Sequence, residues 1–181
     1  DCEMRHLFYI LASIAAALTV MTACSAVGCT ENRNSVPLAG FYSMQTEEPI
    51  TVDSIAVGGV GAPADTLLLK PSARGSQVYL PFRSTAQETA FYIRYEQKAL
   101  NFPELYDTLT FTYTSVPYFA SEDCGAMYHY NITSLQYTRH LIDSVGITDS
   151  LINNLDLEKI RIYFRTQETP DDNDNEQTSG Q

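Results

Sequence analysis

The segment Thr108-Leu109-Thr110-Phe111-Thr112-Tyr113-Thr114 places an aliphatic or aromatic side chain at every second position, with threonine between them. Successive side chains of a β-strand point to opposite faces of the sheet, so this period of two gives one apolar face and one polar face. Threonine is β-branched and fits a pleated, half-buried surface. The segment therefore predicts a strand with one face in a hydrophobic core.

The same alternation recurs through the middle of the chain, and turn-forming residues separate the repeats. Glycine and proline interrupt the pattern at residues 58–63, 71–75 and 101–103. We expect an all-β domain within residues 38–166, an antiparallel Greek-key-like β-sandwich of about seven to eight strands that follows an N-terminal signal helix. The predicted strand segments are residues 40–45, 52–57, 66–70, 78–83, 91–96, 108–114, 125–134, 136–144 and 159–165.

The first residues have the layout of a secretory signal peptide. Met4 is the natural initiator, because a short basic region follows it and precedes an uncharged apolar run over residues 7–21. A membrane-spanning helix needs about 20 apolar residues, and this run is nearer signal-peptide length. We expect residues 1–23 to be a signal peptide, with residues 1–3 as upstream read-through. An uncleaved anchor is the alternative.

Met21-Thr22-Ala23-Cys24 resembles a bacterial lipobox, in which the chain is cut before the cysteine and acyl chains are attached to that cysteine. Several acyl chains hold a protein to a membrane far more firmly than one chain does. We predict lipidation of Cys24, with residues 24–37 as anchor and tether. Cys29 also follows small residues and is the competing site, but it lies farther from the apolar run.

If the signal peptide is removed and Cys24 is lipidated, Cys29 and Cys124 are the two remaining cysteines. Export would place them in an oxidising compartment, which predicts a disulfide between them. The alternative is a hydrolase built around a nucleophilic Cys124 with Glu122, Asp123 or His129. Cys124 and His129 are five positions apart and would face opposite sides of a strand, which disfavours this alternative. His129 and His140 supply too few soft ligands for zinc, so no metal and no cofactor is expected.

The charge of the chain is strongly acidic, with 22 Asp and Glu against 11 Lys and Arg. This balance disfavours nucleic-acid binding through phosphates. The run at residues 170–176 has no apolar side chain, so residues 167–181 are expected to be a disordered acidic tail. A calcium loop there is disfavoured, because Glu176 stands where the EF-hand turn needs glycine.

Twelve tyrosines and no tryptophan occur in the chain. Tyrosine is a frequent contact residue at interfaces and in sugar sites, and Tyr128, His129 and Tyr130 are the candidate contact face. A glycan-binding module is therefore an alternative function.

Five segments read Asp, hydroxyl, aliphatic, and they resemble the O-glycosylation sequon of exported Bacteroidetes proteins. Asp-Ser/Thr before a strand also ends a turn in ordinary β proteins, which would produce the same pattern. The candidate modified residues are Ser54, Thr66, Thr108, Ser144 and Ser150.

Several segments resemble a family of uncharacterised Bacteroidales lipoproteins that is known only as a domain of unknown function. The most specific of them is Tyr118-Phe-Ala-Ser-Glu-Asp-Cys-Gly-Ala-Met-Tyr-His-Tyr; others begin at Cys24, Pro37, Asp53 and Tyr79. The resemblance implies an all-β lipoprotein of the periplasm or outer membrane and implies no reaction. It also makes an outer-membrane barrel protein a candidate partner.

The residues after Cys24 bear on which face of the outer membrane the protein occupies. Surface-exported relatives usually carry acids there, whereas Ser25, Ala26 and Val27 follow Cys24. We expect the periplasmic face. The expected function is that of a lipid-anchored, non-catalytic binding or accessory module of an envelope complex.

Overall fold

The computed structural model describes residues 29, 32, 34–63 and 66–166. The predicted signal peptide, the lipidation site Cys24 and the acidic tail at residues 167–181 lie outside the described residues. The described chain forms ten β-strands and one 3-10 turn at Pro103–Leu105, with no α-helix among these residues. The strands are β1 Leu38–Ser43, β2 Ile55–Gly59, β3 Leu67–Leu69, β4 Gln77–Tyr79, β5 Glu88–Tyr95, β6 Asp107–Ser121, β7 Gly125–Tyr137, β8 Ile142–Ile147, β9 Leu151–Ile152 and β10 Glu158–Phe164.

Two sheets form a sandwich-like all-β fold, which confirms the predicted fold class. One sheet has the strand order β4-β1-β10-β8, and the other has the order β3-β2-β5-β6-β7-β9. Every strand pair is antiparallel except β1 with β10, which run parallel with Phe41 beside Ile162. The first and last strands of the described chain thus lie side by side in the middle of one sheet.

The alternation in β6 produces the expected burial. Leu109, Phe111 and Tyr113 are all 1% exposed or less, while the threonines between them are half-buried. Phe82, which follows β4, stacks on the ring of Tyr113 at 4.4 Å and contacts Phe111 at 5.3 Å. These aromatic contacts join the segment after β4 to the six-stranded sheet and form the centre of the core.

Residues 136–144 were predicted as one strand, and this prediction is wrong. The structure ends β7 at Tyr137 and begins β8 at Ile142, with a turn between them. The cause is Asp107, whose buried carboxylate accepts hydrogen bonds from the backbone N–H groups of His140, Leu141 and Ile142 at 2.8–2.9 Å. These donors point at one carboxylate and cannot also pair along a continuous strand.

The described residues form ten strands, more than the predicted seven to eight, and β9 is the one strand that none of the nine predicted segments overlaps. β9 has only two residues, Leu151 and Ile152, and pairs with β7 over Tyr130 and Asn131. A strand of that length has too few residues to show alternation, so the sequence pattern missed it.

β6 and β7 form a long hairpin that extends beyond the rest of the sheet. β5 pairs with β6 only over residues 107–112, and the β6–β7 pairing then continues to Ser121 and Gly125. Residues 116–129, called the arm below, pair with no other strand of the described chain. Pro117 is accommodated there because the outer edge of β6 has no partner that needs its missing N–H.

Candidate functional site

A cleft of about 680 Å³ lies at the end of the sandwich where β6 begins. Its size is typical of ligand sites, which range over about 300–1,000 Å³. Ile55, Tyr95 and Phe164 are buried lining residues, and Asp53 and Arg165 lie at the polar margin. Half-buried apolar residues complete the lining, namely Ile50, Val52, Leu100 and Leu141.

Asp107 holds two of the lining residues in place. The hydroxyl of Tyr95 donates a hydrogen bond of 2.7 Å to Oδ2 of Asp107, and the backbone N–H of Leu141 donates one of 2.9 Å to the same oxygen. Burial raises the pKa of Tyr95, and the charge of Asp107 together with this hydrogen bond raises it further. The phenol therefore stays protonated as a donor, and this part of the cleft wall is neutral and fixed.

Arg165 also stabilises the turn between β7 and β8. Its Nη1 donates to the carbonyl oxygens of Arg139 and His140 at 3.2 and 3.1 Å, and its Nε lies 3.3 Å from Oδ1 of Asp143. Asp107 binds the N–H groups of this turn and Arg165 binds its carbonyl groups. The wall of the cleft at Leu141 is consequently anchored by two opposite charges.

Ser54, another lining residue, has a left-handed backbone with φ of 56°. Non-glycine residues rarely adopt this conformation, which costs about 1–2 kcal/mol. It persists because the Ser54 carbonyl accepts a 2.7 Å hydrogen bond from the Glu96 N–H, which ties the start of β2 to the end of β5. Strained residues of this kind are concentrated at ligand sites.

No single sequence motif marks this cleft. Its lining comes from the segment before β2, from the residues after β5, from the turn before β8 and from the end of β10. Each segment is an ordinary strand end, so the cleft cannot be recognised from the sequence. The only available signal is Asp107, an acid at the start of the clearest strand, which also begins one of the five Asp-hydroxyl-aliphatic segments.

The disulfide lies at the opposite end of the hairpin. Cys29 is bonded to Cys124 with a Cα–Cα distance of 4.7 Å, which is the pairing that the cysteine count predicts. Cys124 lies in the turn between β6 and β7, whereas the cleft lies beside the first residue of β6. At about 3.3 Å per residue, the fifteen residues of β6 separate the two ends by roughly 45 Å.

Tyr128, His129 and Tyr130 do not form one contact face, so that prediction is wrong. Tyr130 is 6% exposed and packs edge-on against Tyr113 at 5.3 Å in the core. Tyr128 is 44% exposed, and His129 stacks on Tyr118 at 4.1 Å. Successive residues of a strand face opposite sides, so three in a row cannot share a surface.

The nucleophilic hydrolase alternative has no free thiol in this structure, because Cys124 is part of the disulfide. Glu122 and Asp123 are exposed at the same turn. Within the described residues, no three His, Cys, Asp or Glu side chains group together as a metal site.

The five candidate glycosylation residues differ in accessibility. Thr66 and Ser150 are exposed, whereas the other three are half-buried. Thr66 donates its hydroxyl to the Pro63 carbonyl at 2.8 Å. Ser150 is preceded by Asp149, whose pKa is lowered by the hydrogen bond from the Leu151 N–H and by Lys159. The half-buried residues are Ser54, Thr108 and Ser144.

The arm and part of the cleft lining lie in a region that matches a known family. Residues 54–164 match the family of unknown function DUF6452. The chain belongs to this family. No curated protein and no solved structure matches the chain. The match to DUF6452 includes Cys124 but begins after Cys29, so only one half of the disulfide lies in the matched region.

The described residues contain no helix with the length and apolar character needed to span a membrane.

Proposed function

We propose that this DUF6452 protein is a lipid-anchored binding module of an envelope complex, and that the cleft at the start of β6 is its partner site. The observation that carries the proposal is the position of the cleft, roughly 45 Å along β6 from the disulfide that fixes the N-terminal tether. A protein held by one end would present the other end to a partner.

The cleft has the chemistry of a recognition site. Its apolar lining would take up an aliphatic or aromatic group of a partner. The charged residues in and below the cleft are engaged in structural contacts, namely Asp107 with the turn and Arg165 with the backbone. This arrangement supports binding rather than catalysis.

The anchor is part of the proposal. Cys24 in the lipobox-like segment is the proposed acylation site, and the absence of acids at residues 25–27 favours the periplasmic face of the outer membrane. The proposed partner is an outer-membrane barrel protein, whose loop or terminal segment would enter the cleft. The bacterial source implied by the sequence resemblance, Bacteroidales, belongs to the same proposal.

Site-specific photo-crosslinking in native membranes tests the partner site. Gln97 lies at the cleft and is exposed, and Thr133 is exposed in the middle of β7. A photoreactive residue at Gln97 should capture a barrel protein, identified by mass spectrometry, whereas the same residue at Thr133 should not. If both variants yield only the monomer without a crosslinked partner, the proposal is contradicted.

Metabolic labelling with a fatty acid tests the anchor. Cys24→Ala should abolish the label, while Cys29→Ala should retain it. Label that persists in Cys24→Ala shows that the anchor lies on another residue.

A further inference from the structure

The arm carries a concentration of exposed apolar side chains. Phe119 is 64% exposed, Val116 49%, Tyr128 44% and Tyr118 39%. Antiparallel pairing puts Pro117 beside Tyr128 and Phe119 beside Ala126, so Phe119 and Tyr128 lie on the same side of the hairpin. Single exposed apolar side chains are ordinary, but a contiguous exposed apolar patch marks an interaction site.

Over the arm, from residue 116 to residue 129, β6 and β7 pair only with each other, so no other strand of the described chain extends the sheet there. A two-stranded hairpin by itself is marginally stable in water. The disulfide joins Cys124, in the turn of the arm, to Cys29, so the tip of the arm is covalently tied to the segment before β1.

The disulfide also fixes how far the arm can be from the lipid anchor. Cys24 and Cys29 are five positions apart, which a fully extended chain spans in at most about 17 Å. Adding the 4.7 Å between the Cα atoms of Cys29 and Cys124 keeps the turn of the arm within about 22 Å of the acylated residue. This distance is less than the length of β6.

We infer that the arm lies against the lipid bilayer and inserts Phe119 and Tyr128 at the level of the headgroups. This inference rests on the proposed lipid anchor at Cys24. Aromatic rings, and tyrosine in particular, prefer the membrane–water interface, where the ring is apolar and the hydroxyl stays hydrated. Anchor and arm together would make two attachment points, which fix the orientation of the sandwich and direct the cleft away from the bilayer.

The charge at the turn of the arm predicts which lipid headgroups the arm would contact. Glu122 and Asp123 lie there, and no lysine or arginine occurs in residues 116–129. Basic residues near a membrane favour anionic lipids, and acidic residues do the opposite. The arm should therefore prefer a zwitterionic surface.

Tryptophan fluorescence tests the contact directly, because the chain contains no tryptophan and each variant then carries a single one, which can be excited selectively over tyrosine. F119W and Y128W report on the arm. The matched control is F102W: Phe102 is 48% exposed and lies near the beginning of β6, at the other end of the strand. The acylated full chain of each variant is reconstituted into phosphatidylethanolamine–phosphatidylcholine vesicles with brominated acyl chains as quenchers.

The emission of F119W and Y128W should shift to shorter wavelength and lose most of its intensity in brominated vesicles, and F102W should show neither change. Replacing part of the lipid with phosphatidylglycerol should weaken the quenching of F119W, and E122Q should restore part of it. Equal emission from F119W and F102W in acylated protein would contradict the contact between the arm and the bilayer. It would not contradict the proposed lipidation of Cys24.

Intact mass separates that result from failure of the anchor. A Cys24 peptide without acyl chains overturns the anchor and, with it, the inference drawn from it. If F119W responds to envelope polysaccharide but not to brominated lipid, the arm is a glycan site and the bilayer contact is wrong.

Discussion

The hydroxyl of Tyr95 donates a 2.7 Å hydrogen bond to Oδ2 of Asp107, and both residues are buried at the candidate cleft, which Tyr95 lines. The same carboxylate accepts four further hydrogen bonds, from the Thr138 hydroxyl and from three consecutive backbone N–H groups in the turn before β8. One acid therefore joins β5, β6 and the turn from β7 to β8 at the end of the sandwich.

Asp107→Asn should lower the free energy of unfolding by about 3 kcal/mol, because hydrogen bonds to a charged group are worth roughly 1.5–3 kcal/mol and the new NH₂ group faces donors. The matched control is Asp156→Asn: Asp156 accepts a 2.7 Å hydrogen bond from Tyr79, but on the surface. That change should cost less than about 0.5 kcal/mol. Denaturant unfolding measures both, and equal losses contradict the role given to Asp107.

The pKa of Tyr95, which burial raises, predicts a loss of stability in alkali. Above about pH 10 the unfolded chain releases the Tyr95 proton while the folded chain keeps it, so the free energy of unfolding falls as pH rises through this range. The contribution is fully present below pH 10. Tyr95→Phe should reduce the slope above pH 10 by about 1.4 kcal/mol per pH unit. Unfolding curves between about pH 8 and 11, a range that includes the ordinary tyrosine pKa of about 10, measure this slope. An unchanged slope in Tyr95→Phe contradicts the prediction.

Ser54→Gly should raise the free energy of unfolding by about 1 kcal/mol, because glycine adopts positive φ without the steric cost of a Cβ. Ser54→Ala keeps the Cβ and serves as the control, so it should bring no gain. Thermal unfolding of the two variants decides the matter. An equal change in both would show that the hydroxyl, and not the backbone conformation, sets the stability at this position.

Loss of the disulfide should destabilise the fold substantially. Cys29 and Cys124 are 95 positions apart, and closing such a loop is worth about 4.7 kcal/mol in the chain-entropy model. The double variant Cys29→Ser, Cys124→Ser should lower the free energy of unfolding by about this amount and lower hydrogen-exchange protection first in the arm. Cys24→Ala is the control and should leave unfolding unchanged. Uniform loss of protection would argue against a separately opening arm.

Among the candidate glycosylation residues, Ser150 should be the easiest to modify. It is exposed, unlike the three half-buried candidates, and the hydroxyl of Thr66, the other exposed candidate, donates a hydrogen bond to the Pro63 carbonyl. Intact mass of protein from its native envelope should show added glycan, and Ser150→Ala should remove part of that mass, while Ser144→Ala should not. A mass that corresponds only to protein and lipid removes the glycosylation prediction.

The strands of the core could be predicted from the sequence because alternation is a local property. Leu109, Phe111 and Tyr113 face the same side of β6 whatever the rest of the fold is, so their burial follows from the pattern alone. The disulfide could be predicted from the cysteine count, because the expected loss of residues 1–23 and the expected lipidation of Cys24 leave one pair of the four cysteines. These inferences required no knowledge of which strands are neighbours.

Strand neighbours and strand ends were decided only by the tertiary structure. The Asp107 carboxylate divided residues 136–144 because its donors come from 33 to 35 positions away in sequence, which no local pattern records. Tyr130 became a core residue because Phe82 packs against it with 5.6 Å between the ring centroids, whereas Tyr128 lies farther along the arm and is exposed. Alternation tells which side a residue faces. Whether that side meets protein, a cleft or open surface depends on where the neighbouring strands end, and this is set by contacts between distant parts of the chain.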